Sequence, residues 1–194
     1  MSSPFYLFLL FAVFISHRGA TTEAAVESVT DINGQRLRSG INYYILPVVR
    51  GRGGGLTISK THNKTCLNSV IQDRYGVSNG LALKFSPSDN SKIIRVSTDL
   101  NFIFSKTSIW KLDRDDTANQ WFVSTCGVAG NPGRTTVDNW FKIDKFENDY
   151  KIVFCPSVCN FCKVMCGDIG VFVQGGKRSL VLSDVPLKVM FKRA

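Results

Sequence analysis

The 194-residue chain carries 24 Lys and Arg against 15 Asp and Glu, a formal net charge of +9, and its length suits one ordinary domain with a real core. The basic residues are dispersed, and stretches such as "KLDRDD" and "FKIDKFENDYK" mix signs as a solvated face does. That balance favours solubility and weak adhesion to polyanions, and it argues against a nucleic-acid binder, which would show a basic stripe interleaved with aromatics.

Residues 5–15, "FYLFLLFAVFI", form an unbroken apolar run that is too short to span a bilayer and right for the core of a secretory signal. Thr22-Glu23-Ala24 places cleavage near Ala24, so residues 1–24 are read as a signal peptide and 25–194 as the mature domain. No later stretch approaches a membrane span, and the mature chain is expected to be soluble, exported and monomeric.

Beyond the leader the chain reads as short strands. In order they are 42–49, 55–59, 81–85, 93–97, 100–104, 108–112, 120–124, 140–144, 150–154, 170–174, 179–183 and 187–191. Each is rich in β-branched and aromatic residues, and Gly, Asn, Asp and Pro punctuate them. No stretch keeps a 3.6-residue period for three turns. Twelve short strands in one domain imply a closed barrel or a sandwich, an all-β fold.

Residues 51–55, "GRGGG", lack the following Lys-Ser/Thr of a phosphate cradle and read as a mobile hairpin turn. His62, the one histidine beyond the leader, sits in a polar loop beside the sequon Asn63-Lys64-Thr65. A glycan on Asn63 would crowd any cleft there, so no Ser-His-Asp or Cys-His site is expected and the protein is not read as an enzyme. No cofactor is called for.

Four of the six cysteines lie in "CPSVCNFCKVMC", residues 155–166, with palindromic spacing about a point between Asn160 and Phe161. Folding back at that point brings Cys155 to Cys166 and Cys159 to Cys162. The inner pair ends a four-residue turn, within the reach of a disulfide. In an oxidising compartment this reads as nested bridges and not as zinc, whose structural ligands come as two separated knuckles.

Val29-x-Asp31-x-x-Gly34-x-x-Leu37 followed by Tyr43-x-Ile45 resembles the N-terminal signature of the plant Kunitz inhibitor family, the soybean trypsin inhibitor type. The likeness continues through "YYILPVVRGRGGGLT", "RVSTDLNFIF", "IWKLD", "GNPG", "NWFKI", the four-cysteine segment and "LVLSDVPLKVMF". It is similar above all to the miraculin-like branch. The resemblance implies a disulfide-stabilised β-trefoil, a six-stranded barrel capped by three hairpins. It also implies a plant protein of the apoplast or vacuole that inhibits proteases in defence, with a protease of the serine class as the expected partner. A non-inhibitory β-trefoil module that binds carbohydrate or protein, and a storage or wound-response protein, are the alternatives.

The resemblance further implies a substrate-like loop at residues 85–96. Aligning Arg95-Val96 puts Ile93 at the primary-specificity position with Ile94 after it, whereas a one-residue shift puts Lys92 there. Lys or Arg suits a trypsin-like pocket and Ile an elastase- or subtilisin-like one. Ser39 stands where related inhibitors carry the Asn that braces this loop, and a hydroxyl has less reach than an amide. The family partner of Cys66 is missing before "IWKLD". Cys126 is expected to replace it, facing about Lys106 across a hairpin centred on Asp116, in a relocated Cys66–Cys126 bridge. Arg52 occupies the place of a histidine in the taste-modifying member, so no switch titrating at about pH 6 is expected.

Overall fold

The computed structural model describes residues 27–60, 66 and 68–194. The leader, His62 and the sequon at Asn63 lie outside the described residues. Among the described residues thirteen strands follow one another: β1 (Tyr43–Pro47), β2 (Leu56–Lys60), β3 (Asn68–Gln72), β4 (Lys84–Pro87), β5 (Leu100–Ser105), β6 (Ser108–Ile109) and β7 (Lys111–Asp115). β8 (Gln120–Ser124), β9 (Lys142–Phe146), β10 (Asp149–Phe154), β11 (Gly167–Gln174), β12 (Lys177–Ser183) and β13 (Val189–Arg193) complete the set. A 3-10 helix, Arg134–Asn139, separates β8 from β9.

Alternation builds the strands. In β1 Tyr43, Ile45 and Pro47 are buried while Tyr44 and Leu46 between them are only half-buried, as a two-residue period requires. Strand β1 pairs antiparallel with β13 from Tyr43↔Arg193 to Pro47↔Val189, so the two ends of the domain close on each other. The core is aromatic at its centre. Phe102 stacks on Trp110 at 4.6 Å and meets Phe85 edge-on at 5.0 Å, and all three are under 2% exposed. Such pairs add about 0.5–1.5 kcal/mol each beyond burial alone.

The closed six-stranded barrel expected from the resemblance is not formed as a continuous ladder. Among the described residues, a ten-stranded sheet and a separate three-stranded sheet, β4-β5-β6, pair with each other at single bridges such as Tyr43↔Leu83 and Leu100↔Phe141. At those seams wide rings such as Phe85, Phe102 and Phe141 fill the space between the sheets, so side-chain packing closes the core there.

Three local expectations are corrected. Strand β3, "NSVIQ", has little apolar alternation and was not anticipated; it is fixed by pairing with β2 from Leu56↔Gln72 to Lys60↔Asn68. The β7–β8 hairpin pairs Lys111 with Ser124, so Cys126 lies beside Ile109, not Lys106. The glycine run 51–55 is an open turn only at Gly51 and Arg52 and is locked at its end: Gly54 N–H donates to Asp73 O at 2.6 Å and Gly55 N–H to Ser78 O at 2.8 Å. A Cβ on Gly54 would meet Tyr75 O at 2.2 Å, and one on Gly55 would meet Asn79 O at 2.0 Å, so only glycine permits that approach.

Three disulfides are present. Cys66–Cys126 spans 60 positions with Cα atoms 5.8 Å apart. Cys155–Cys166 and Cys159–Cys162 nest about a turn at Asn160–Phe161. All six sulfurs are therefore bonded in pairs.

Candidate functional site: the loop between β4 and β5

The segment from β4 to β5 leaves the sheet at Pro87 and returns at Leu100. Its apex is a tight turn. Asn90 N–H donates to Pro87 O at 3.2 Å, and Ser91 N–H donates to Asp89 Oδ1 at 2.9 Å. Asn90 takes φ 55°, the left-handed region that Asn tolerates better than most residues. Asp89, Asn90 and Lys92 are exposed.

The descending arm is extended but belongs to no strand. It runs beside residues 27–39 through single bridges, Arg38↔Ile93 and Ser28↔Arg95. Ser39 N–H donates to Lys92 O at 3.0 Å, Ile94 N–H to Leu37 O at 2.9 Å, and Val29 N–H to Ile94 O at 3.0 Å. The expected strand 93–97 is thus a bridged arm, because its partner is the irregular N-terminal segment and not a neighbouring hairpin.

The four residues singled out in the loop have different environments. Lys92 is exposed, Ile93 and Arg95 are half-buried, and Ile94 is fully buried in the aromatic core. Ile94 therefore anchors the arm and offers nothing to a partner. The carbonyls of Lys92, Ile93 and Ile94 already accept hydrogen bonds from Ser39 N–H, Ser91 Oγ and Val29 N–H.

Ser39 ties the two arms together. Its hydroxyl donates to Phe85 O on the ascending side at 3.3 Å, while its backbone N–H holds Lys92 O on the descending side. At the base Ser88 N–H donates to Asp99 O at 2.9 Å. The buried Asp99 carboxylate accepts from Ser157 Oγ at 2.6 Å and from Ser157 N–H at 3.2 Å, with Lys142 Nζ 3.8 Å away. Sequence reasoning did not find Asp99, and "STDL" contains no motif that could have marked it. The loop is thereby fixed to the four-cysteine segment. This geometry, an exposed apex on two braced arms with no cluster of catalytic groups, presents backbone and side chains to another molecule.

Comparison with known proteins decides the family. Residues 29–193 match the legume Kunitz family model, described as trypsin and protease inhibitor. This chain belongs to the Kunitz inhibitor family. It is 71% identical over 195 residues to Kunitz trypsin inhibitor 5 of Arabidopsis thaliana, covering 100% of both chains. Identity to miraculin of Synsepalum dulcificum is 42% over 207 residues, covering 98% of this chain and 94% of that one. Among solved structures, a Kunitz-type cysteine protease inhibitor from potato superposes with TM-score 0.75 at 27% identity, covering 87% of this chain and 98% of that one. Soybean trypsin inhibitor superposes with TM-score 0.69 at 26% identity, covering 87% and 100%. The Kunitz β-trefoil is thus the architecture of this chain, with its seams bridged by side chains as described above.

Proposed function

We propose that this Kunitz chain is an exported, monomeric inhibitor of a serine protease that acts in plant defence through residues 85–96 and needs no cofactor. The observation that carries this reading is the braced projection of the loop: a rigid apex loses little freedom on binding. Among the described residues no helix is long and apolar enough to cross a membrane, which accords with an exported role. Lys92 is the exposed cation beside the apex, and its side chain fits a trypsin-like pocket with a buried Asp. Ile93, half-buried and bridged to Arg38, is the weaker candidate for that pocket.

A second reading of the contact point has its own observation. A substrate-like pose puts the carbonyl of the specificity residue in the oxyanion hole. Between Ser88 and Ile94 the carbonyls without a hydrogen-bond donor among the described residues belong to Ser88, Asp89, Asn90 and Ser91. That favours the Asn90–Ser91 bond over Lys92–Ile93. Two measurements separate the readings. Trypsin inhibition by Lys92→Ala and Asn90→Ala is compared, and the bond nicked on prolonged incubation with trypsin is located by mass spectrometry. Loss of inhibition on replacing both Lys92 and Ile93 by Gly is expected; unchanged inhibition of trypsin, elastase and subtilisin by that variant moves the active surface elsewhere on the trefoil.

A further inference from the structure

The charges of this protein are not evenly spread once the chain is folded. Around the β7–β8 and β9–β10 hairpins each lysine or arginine has a carboxylate: Lys111 has Asp113, Arg114 has Asp116, Lys145 has Glu27, and Lys188 has Glu147 and Asp149. The two loops that connect β1 to β2 and β3 to β4 differ. They carry Arg50, Arg52 and Arg74, all exposed, and Lys192 of β13 stands beside Arg50 at the edge of the same groove. None of these four cations forms an ion pair among the described residues. Asp73 is the one carboxylate on these loops. It is turned to its own backbone: Tyr75 N–H donates to it at 3.0 Å, and that bond, with the Ser78 hydroxyl, holds its carboxyl below the usual range.

The two loops are joined at their base. Gly54 and Gly55 tie the β1–β2 loop to Asp73 O and Ser78 O of the β3–β4 loop, so the turn that carries Arg50 and Arg52 starts from a fixed point next to the loop that carries Arg74. Beside these loops lies a groove of about 560 Å³ lined by Arg50 and Lys192, with an apolar floor that includes Leu46 and Met190, and no carboxylate lines it. Val77, 97% exposed, and Tyr75 stand at its side, with the Arg74 guanidinium 4.5 Å over the Tyr75 ring.

We propose that this face binds a linear polyuronate, an acidic polysaccharide with one carboxylate per sugar. Planar guanidinium forks match carboxylates in two-point hydrogen bonds, and several spaced cations fit a repeating anion better than a ligand with one acid group. The apolar floor suits the C–H faces of pyranose rings. Neutral sugars are not favoured, because exposed Tyr75, Phe161 and Phe172 lie on separate elements and form no stacking platform. A single-stranded nucleic acid would need successive aromatic faces, and here one ring is present and already covered by Arg74.

Fluorescence anisotropy with a labelled decagalacturonate at low salt tests this directly. The triple variant R50Q/R52Q/R74Q should bind about tenfold more weakly or worse, by loss of charge pairing with the chain. A control, K60Q/K106Q/K163Q, removes three exposed cations elsewhere and should change affinity less than threefold. Protease inhibition should be the same in both variants, which keeps this surface distinct from the loop at 85–96. Equal weakening in the two variants would overturn the proposal by showing that only net charge matters. Displacement of the probe by a ten-nucleotide single-stranded DNA at equal or lower concentration would also overturn it.

Discussion

The backbone N–H of Ser39 holds the carbonyl of Lys92 at 3.0 Å, so the loop is braced by main chain where a longer side chain was expected to be needed. The hydroxyl adds only a 3.3 Å bond to Phe85 O. Ser39→Ala should therefore cost less than about 1 kcal/mol of stability and change protease inhibition only a few-fold. Ser39→Pro removes the donor and should weaken inhibition far more. Denaturant titration and inhibition constants for the pair check this; equal effects would show that the hydroxyl is the brace.

Ile94 is fully buried among the core residues. Ile94→Ala should cost about 3 kcal/mol through lost packing and the cavity left behind. It should also speed proteolytic nicking of the loop, because the arm loses its anchor. Chemical denaturation and limited proteolysis measure both effects. A stable variant that had merely lost inhibition would instead assign Ile94 to the protease contact.

Asp99 links the base of the loop to the four-cysteine segment. Asp99→Ala leaves Lys142 and the Ser157 donors without their buried acceptor and should cost about 3 kcal/mol. Asp99→Asn keeps an oxygen acceptor and should lose about half as much. Melting curves of the two variants decide; identical losses would mean that charge alone matters at this site.

The Cys66–Cys126 bridge closes a loop of 60 positions. On the chain-entropy estimate, replacing both cysteines by Ala should cost about 4 kcal/mol, measured by urea unfolding. Non-reducing peptide mapping of the native protein should recover the two residues in one cross-linked peptide pair. Recovery of both as alkylated thiols would reject the bridge.

Asp73 gives a pH dependence with a defined sign. Its folded carboxyl is held below its ordinary value of 3.8 mainly by the Tyr75 N–H, then by the Ser78 hydroxyl. The stabilisation is therefore complete above pH 3.8 and is lost as pH falls through the lower folded value. Because the group is partly exposed, Asp73→Ala should cost only about 1 kcal/mol at neutral pH. Thermal unfolding of both forms should show that gap narrowing only below pH 3.8. A gap that stays constant down to low pH would locate the loss in packing instead of the carboxylate.

The sequence by itself determined the local features of this Kunitz chain. Alternation in "YYILP" and "DYKIVF" marks strands, because a two-residue period buries one face without help from partners. The palindrome of residues 155–166 sets the nested pairing, because the distances involved are fixed by a single turn. Only the tertiary structure decided the rest. Strand β3 exists because β2 pairs with it, and the slip that puts Cys126 beside Ile109 depends on which residues turn at the hairpin tip. "KIIRV" reads as a strand and as a reactive segment, yet Ile94 became core because the chain around Val29 and Leu37 closes over it. The cations look dispersed along the chain, but folding pairs some with carboxylates and leaves Arg50, Arg52 and Arg74 together. Local periodicity is written in neighbours along the chain, whereas burial and charge pairing belong to residues that meet only across it.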